Sequence, residues 1–146
     1  MPTVTRTFSV TARPEQVVKY LADFSNAEEW DPGTDRCRQI DDGPVRVGTS
    51  WHNETTIAGV STELTYTLEE WTEDAVVLVG RNDTATSTEI MTVKPDAEGT
   101  ELTYRNEIEF NGAAKLAAPA AKLVFEKVGI DTEKKLTEVL NGLSVQ

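Results

Sequence analysis

The stretch that decides the fold is residues 113–141, AAKLAAPAAKLVFEKVGIDTEKKLTEVLN. From Phe125 its apolar residues recur at helical spacing while lysine and glutamate fill most of the opposite face, which indicates one amphipathic helix. Pro119 fits a helix start, because its ring blocks the hydrogen bond to the preceding turn. We therefore predict a lead-in turn over 113–118 and a main helix from Pro119, ended by Gly142. The apolar stripe comprises Phe125, Val128, Leu136, Val139, Leu140 and Leu143.

Two small residues, Gly129 and Thr132, lie inside this stripe at positions where a leucine would be expected. Glycine in a helix interior costs roughly 1 kcal/mol relative to alanine. Either another element approaches closely at this point, or a space is kept there. We expect the helix to close over a curved sheet and the function to lie in the gap between them.

Composition narrows the class of protein. A chain of 146 residues suits one domain with a substantial core. The sequence lacks 18 consecutive apolar residues and a signal-peptide pattern, so we expect no integral membrane association and a cytoplasmic location. A net charge of −11 argues against nucleic acid and anionic lipid surfaces as partners. The single cysteine, Cys37, excludes an internal disulfide.

The chain before the long helix begins with a strand and two helices. Residues 3–11 alternate in polarity, as a strand does. Pro14 occupies a first-turn position of the next helix. Ser25 and Asn26 can cap a second, short helix that ends at Trp30.

From residue 34 the period of the apolar pattern becomes two, interrupted by turns, which indicates consecutive strands. Gly48 predicts a bulge or bend. Six strands joined by short turns form an antiparallel meander, and the first strand completes a seven-stranded sheet. The predicted strands are residues 34–41, 45–57, 60–71, 75–81, 86–93 and 101–110.

This element order resembles the SRPBCC superfamily, which includes START lipid-transfer domains, Bet v 1-type allergens and bacterial polyketide cyclase/dehydrase-like proteins. The resemblance covers the whole chain, 1–146, as one domain. It implies an α+β helix-grip fold, in which a seven-stranded curved antiparallel sheet wraps a long C-terminal helix, with two short helices after strand 1 and a cavity between. The stretches that carry it are residues 12–17 (ARPEQV), 30–33 (WDPG), 47–49 (VGT), 99–104 (GTELTY) and 133–136 (EKKL).

The resemblance also implies a function, although the fold alone does not determine it. We expect binding of a small hydrophobic or amphipathic ligand, such as a lipid or polyketide, without a cofactor, by a monomer or homodimer. The alternative is a polyketide cyclase/dehydrase-type enzyme that uses an inward Glu or Tyr as acid or base. A protein-interaction module is a third possibility.

The inward strand positions supply the candidate site. Glu89 shares a face with Met91, so its carboxyl can be an acid or base with a raised pKa, or can reach water near a strand end. Tyr66 and Tyr104 either present hydroxyls to a ligand or belong to an aromatic core. The full set of predicted ligand-binding residues is Trp51, Asn53, Thr62, Leu64, Tyr66, Glu89, Met91, Tyr104, Asn106, Ile108, Phe125, Gly129 and Thr132.

Three further residues lie outside this set and are interpreted separately. Trp30, after the short helices, is either a gate at the cavity mouth or packed under the loop. His52, the only histidine, should face solvent unless a bulge at Gly48 reverses the strand register. Cys37 is expected to be inert, because its arginine neighbours point to the opposite face of a strand. One histidine and one cysteine are too few ligands for a transition metal.

Overall fold

The computed structural model describes residues 3–112 and 118–143. The predicted lead-in turn therefore lies, up to residue 117, outside the described residues. The elements in chain order are β1 (Thr3–Val10), α1 (Pro14–Ala22), a 3₁₀ helix (Phe24–Asn26), α2 (Ala27–Trp30), β2 (Thr34–Gln39), β3 (Ser50–Ile57), β4 (Val60–Trp71), β5 (Ala75–Arg81), β6 (Ala85–Pro95), β7 (Thr100–Phe110) and α3 (Ala118–Leu143).

The seven strands form one antiparallel sheet in the order β1-β7-β6-β5-β4-β3-β2. Consecutive strands from β2 to β7 are neighbours, and β1 pairs with β7 to complete the sheet. The register shifts once in β4, between Leu68 and Glu70. That bulge explains why Trp71 is out of phase with the rest of its strand. The architecture is the expected helix-grip fold.

The two short helices follow β1 as predicted, but Asn26, at the N-cap position of α2, makes no capping hydrogen bond with its side chain, and Asp23 caps the 3₁₀ helix instead. The Asp23 side chain accepts hydrogen bonds from the Ser25 backbone N–H at 3.1 Å and from the Ser25 hydroxyl at 2.6 Å. The Asn26 amide instead donates to the Tyr20 carbonyl at 2.9 Å. The prediction that Ser25 and Asn26 form the cap is wrong, because Asp23 and the Tyr20 carbonyl engage their side chains.

The strand predicted over residues 45–57 begins only at Ser50. Gly48 has a φ of 101° and lies in the loop before β3, where its N–H donates to the Leu68 carbonyl at 2.8 Å. The left-handed backbone at Gly48 ends the loop instead of interrupting a strand. The alternation in β3 is therefore continuous, and His52 faces outward.

The long helix α3 contacts β1 and α2. Leu136 and Leu140 of this helix are fully buried. The helix continues through Gly142 to Leu143, so the prediction that Gly142 ends it is wrong. Gly142 lies outside the left-handed region that a glycine helix stop requires.

Aromatic side chains fill the space where the short helices cross the sheet. Phe24 lies at the centre, with ring centroids 4.4 Å from Tyr66, 6.0 Å from Trp30 and 6.3 Å from Trp51. The Trp30 ring in turn meets the Tyr104 ring edge-on at 6.0 Å. Such edge-to-face pairs stabilise a core beyond their buried area.

Candidate functional site

The inner face of the sheet carries a group of buried polar residues in an otherwise apolar interior. Antiparallel pairing places Glu89 of β6 directly opposite Asn106 of β7. Asp31, at the end of α2, acts electrostatically on Glu89 and on both inner tyrosines. We call this group the polar cluster; its members are Asp31, Tyr66, Ser87, Glu89, Tyr104 and Asn106.

Glu89 is the least satisfied member of the polar cluster. Its side chain lies on the inner face of β6, and the residue is only 4% exposed. Its Oε2 atom is buried and has no hydrogen-bond partner among the described residues. Burial, assisted by the negative charge of Asp31, raises the pKa of Glu89 to about 8. The Tyr104 hydroxyl lies beside the carboxyl and acts in the opposite direction. At neutral pH Glu89 can therefore hold a proton or release one.

Tyr66 reaches Ser87 across the intervening strand because that strand carries a glycine. Tyr66 pairs with Gly80, and the Tyr66 ring covers Gly80 so closely that an added Cβ would lie 2.6 Å from it. Gly80 pairs in turn with Ser87 on β6. A hydrogen bond with Ser87 favours the charged form of Tyr66, but burial is the larger influence and raises the pKa of Tyr66. The glycine thus lets an aromatic hydroxyl reach the polar cluster.

Asn106 holds one side of the polar cluster in place. Its Nδ2 donates to the Ser87 hydroxyl at 3.0 Å and to the Thr88 carbonyl at 3.1 Å. Both amide protons are therefore used by the protein itself. The Asn106 amide therefore makes hydrogen bonds within the sheet and has no proton left for Glu89.

A second polar network leads from Asp31 to β3. The Asp31 carboxyl accepts the Gly33 N–H at 3.1 Å and the Thr34 hydroxyl at 2.8 Å. Thr34 also accepts the Asn53 amide at 3.0 Å, and the Thr55 hydroxyl donates to the Asn53 carbonyl oxygen. Burial raises the pKa of Asp31, although these hydrogen bonds and Lys135 favour its charged form. Asn53 is 1% exposed, and its predicted inward position is confirmed.

Two indole N–H groups in the aromatic core are also unsatisfied. The Nε1 atoms of Trp30 and Trp51 are buried and have no acceptor among the residues described. Buried donors in folded proteins almost always have a partner, from the protein or from ordered water. With Glu89 Oε2, the interior therefore contains two donors and one carboxyl oxygen that have no partner among the described residues.

Trp30 is not placed as a gate. It is fully buried and packs against Phe24 and Tyr104. The one-turn helix α2 turns its last side chain inward, so the ring fills the core instead of lying at a cavity mouth. The packing interpretation of Trp30 is the one that the structure supports.

Gly129 and Thr132, the small residues of α3, face β1 and the core. A Cβ on Gly129 would lie 2.3 Å from Val4 Cγ1, so glycine here permits a close approach between α3 and β1. The interpretation of Gly129 as part of a ligand space is therefore wrong. Thr132 is 1% exposed, and its hydroxyl donates to the Val128 carbonyl at 2.8 Å within the helix. An ion pair between Arg6 Nε and Glu133 Oε1, which are 2.8 Å apart, joins β1 and α3 at the same contact.

The remaining predicted lining residues divide into buried and open positions. Leu64 and Met91 are buried on the inner face. Ile108 and Phe125 are half-buried, and the Phe125 ring stacks on Phe110 with centroids 6.4 Å apart. Thr62 is exposed, and its hydroxyl accepts the Asn82 amide at 3.1 Å. Thr62 is in the inward register of β4, but at this end of the strand that face is exposed to solvent. The prediction that Thr62 lines an interior is therefore wrong.

The other reactive side chains lie away from the polar cluster or are buried. His52 Nε2 lies 2.9 Å from Glu63 Oε1 on the outer face of the sheet. Burial raises the pKa of the Cys37 thiol to about 12, so the nucleophilic thiolate is suppressed. In the part of the chain that the structure describes, no three His, Cys, Asp or Glu side chains are placed to hold a metal ion. Among those residues, no helix combines the length and apolar character needed to span a bilayer.

A groove of about 470 Å³ opens between the first half of α3 and the turn that joins β3 to β4. Its walls are mostly apolar. Gly33 belongs to it and lies two residues beyond Asp31, so the groove borders the polar cluster. The lining residues on the sheet side are Pro32, Gly33, Thr56, Ile57 and Ala58, and those on α3 are Leu123, Val124, Lys127, Val128 and Asp131.

Comparison with known proteins places the chain in a family. Residues 1–139 match the family described as polyketide cyclase / dehydrase and lipid transport, and the chain belongs to it. No curated protein sequence matches the chain.

Solved structures share its fold at low sequence identity. A Thermus thermophilus protein has a TM-score of 0.80 at 15% identity and covers 98% of this chain and 99% of its own. A START superfamily protein from Mycobacterium smegmatis has a TM-score of 0.80 at 17% identity, covering 97% and 98%. An aromatase/cyclase from a Streptomyces species has a TM-score of 0.70 at 16% identity, covering 96% and 91%. At these identities the likeness concerns the fold alone.

Sequence reasoning missed two members of the polar cluster. In the sequence, Asp31 is the first residue of a turn that continues with Pro32 and Gly33, and it does begin that turn in the structure. No sequence pattern distinguishes its buried carboxyl from that of an ordinary turn residue. Ser87 does share the alternating register of Glu89 and Met91, so period-two counting along β6 could have found it.

Proposed function

We propose that the protein binds a small hydrophobic or amphipathic molecule between α3 and the inner face of the sheet, beside the polar cluster. One observation carries this proposal. Glu89 is buried in an apolar interior with Oε2 unpartnered among the described residues. Membership of a family described by cyclase, dehydrase and lipid-transport functions supports it.

The energetics favour a ligand role for Glu89 over a structural one. An unpartnered buried carboxyl destabilises a fold, and a methionine or leucine would fill the same place without that penalty. A bound molecule offsets the penalty by supplying the missing hydrogen bond. The rest of its affinity would come from apolar area removed from water, at about 25 cal/mol per Å². Few polar groups in a mostly apolar site are typical of small-molecule pockets.

The groove between α3 and the β3–β4 turn is the entry that we propose. It borders Asp31 through Gly33, and its walls are mostly apolar. Ile57 lies on its sheet side and pairs with Val60 across the turn. Val60 is 69% exposed and is not among the groove residues. These two positions therefore provide a blocking variant and its control.

The test is ligand-induced thermal stabilisation with a panel of medium-chain lipids and aromatic polyketides, supported by native mass spectrometry of the complex. Binding to the folded state should raise Tm with ligand concentration. Ile57→Trp should slow association with the best ligand in stopped-flow fluorescence, whereas Val60→Trp should leave the association rate unchanged. A protein that responds to no member of the panel would refute the binding proposal.

A second candidate function, cyclase/dehydrase-type acid–base catalysis, is favoured by the same carboxyl for a different reason. A pKa of about 8 matches a general base that works near neutral pH. The Glu89 carboxylate would take an α-proton from an enolisable ketone; the C–H electron pair would form the C=C bond of the enolate, and the carbonyl π pair would move to the oxygen.

This chemistry can be tested by proton NMR of α-hydrogen exchange into D₂O, with a cyclic monoketone as substrate, because it stays un-ionised near neutral pH. The protein-dependent rate should rise with pH through about 8, because only the carboxylate is a base. Glu89→Gln should abolish that rate without lowering Tm. Exchange that persists in this variant would remove Glu89 from the reaction.

A further inference from the structure

We infer that the molecule bound at the polar cluster is uncharged and presents to Glu89 a hydroxyl-type group, which both donates and accepts hydrogen bonds, and that the interior rejects the matching carboxylate. This inference rests on the proposed binding function and specifies the class of ligand. It concerns the selectivity of the site, which the fold does not determine.

The need for a donor on the ligand follows from what surrounds Glu89. Its Oε2 atom has no partner among the described residues, and the neighbouring Asn106 amide is committed to Ser87 and to the Thr88 carbonyl. The Tyr104 hydroxyl already lies beside the carboxyl. A hydroxyl on the ligand would therefore supply the hydrogen bond that the neighbouring protein groups leave unmade.

The need for an acceptor follows from the indole groups. Trp30 and Trp51 each bury an N–H without a partner among the described residues. The Trp30 ring contacts the Tyr104 ring, so this donor belongs to the same interior as Glu89. A pure hydrocarbon would satisfy neither the carboxyl nor the indoles. A hydroxyl can serve both, since it donates one hydrogen bond and accepts others.

The charges that face the polar cluster exclude an anion. Asp31 and Glu89 are two carboxyls in one interior, and each acts on the buried tyrosines. The inward arginine of β1, Arg6, is paired with Glu133 of α3. Lys135 of α3 faces Asp31, whose charge it balances. A ligand carboxylate would thus enter a negative interior, and among the described residues these two cations are already engaged.

The experiment compares matched alcohol and acid probes by isothermal titration calorimetry at about pH 8.5, above the pKa of about 8, so that Glu89 is mostly charged. The pairs are 2-naphthol with 2-naphthoate, and 1-dodecanol with dodecanoate. We expect the alcohol of each pair to bind about tenfold or more tightly than the acid, since buried like charges disfavour the anion. In Glu89→Gln the preference should shrink to about threefold or less, because an amide removes the charge while keeping the shape.

The matched control is Glu101→Gln on the outer face of β7, where Glu101 pairs with Lys94 at 3.3 Å. It makes the same change in net charge and should keep the full preference for the alcohol. An equal loss in both variants would show that overall charge, and not Glu89, selects the ligand.

Other results of the same experiment also test the inference. The comparison of alcohol and acid in the wild-type protein does not depend on whether either variant folds. Equal binding of alcohol and acid, or tighter binding of the acid, would overturn the inference while leaving the proposed binding function intact. Binding of none of the four probes, together with no response to the lipid and polyketide panel, would overturn both.

Discussion

The interior beneath α3 contains two regions that differ in how completely their groups are packed and hydrogen-bonded. One is the contact between α3 and β1, which we call the α3–β1 seam; it consists of Val4, Arg6, Gly129 and Glu133. There the backbones approach so closely that even one added carbon would overlap Val4. The other is the polar cluster, where a buried carboxyl and nearby indole groups have unmade hydrogen bonds among the described residues.

The difference indicates which sequence feature points to the proposed binding interior. A small residue in a helix stripe can mean a space or a close approach, and at Gly129 it means a close approach. A polar residue on an inward strand position has fewer explanations, because burying it is unfavourable unless a partner is supplied. In this protein the strand, and not the helix, carries the signal for a site.

The largest expected effect belongs to Trp30, which fixes the boundary between the aromatic core and the polar cluster. Trp30→Ala should lower the free energy of unfolding by about 3–5 kcal/mol, because it removes a fully buried side chain and leaves a cavity. Urea denaturation measures this loss. A gate residue would instead change ligand binding with little loss of stability, and that result would contradict the placement of Trp30 in the core.

The next effect concerns Glu89 and depends on pH. Its folded-state pKa of about 8 lies above the ordinary value of 4.5, so the folded protein binds a proton that the unfolded chain releases. The stability contributed by that proton is complete below pH 4.5 and is lost as pH rises to about 8. Glu89→Gln should therefore gain stability relative to wild type across this range, by a few kcal/mol at its upper end.

The measurement is the difference in unfolding free energy between the two proteins at several pH values, with Glu101→Gln as the control for a surface carboxylate. Only the Glu89 difference should change strongly between pH 4.5 and 8. A difference that stays constant over that range would mean that Glu89 is solvated, and the polar cluster would lose its distinguishing feature.

For the α3–β1 seam we predict a smaller loss of stability, which a second substitution should partly reverse. Gly129→Ala should destabilise the protein by about 1–3 kcal/mol through overpacking, although alanine is the better helix former. Shortening the opposing side chain should restore the space, so Gly129→Ala combined with Val4→Ala should recover part of the loss. A double-mutant cycle measures this coupling. A stabilising Gly129→Ala would show that the seam is open.

The smallest effect is expected for the ion pair at the edge of the seam. Arg6 Nε lies 2.8 Å from Glu133 Oε1, and both side chains are about one-third exposed. A double-mutant cycle with Arg6→Ala and Glu133→Ala should give a coupling of about 0.2–1 kcal/mol, decreasing at high salt. A coupling of several kcal/mol would mean that the pair, and not Gly129, holds the helix against β1.

Periodicity predicted the elements well where the chain itself carries the pattern. The strands β4 and β5 have the predicted limits, because each is bounded by turn residues and alternates along its length. The limits of β3 were predicted less well, since Gly48 can bend a strand or end a loop and the local sequence is the same in both cases. The helix end at Gly142 failed for a similar reason, because a glycine permits a stop without requiring one.

The resemblance to a known superfamily implied the helix-grip architecture, and the amino-acid sequence by itself determined the element order and the inward register that contains Glu89, Tyr104 and Asn106. The order and the register follow from local patterns of polarity and turn residues. Only the tertiary structure decided that Gly129 meets Val4, that Trp30 fills the core, and that Asp31 lies near enough to Glu89 to act on it electrostatically. Each of those features depends on residues that are far apart in the chain. The periodicity of one segment shows which of its faces is buried, but it does not show how far that face lies from another segment.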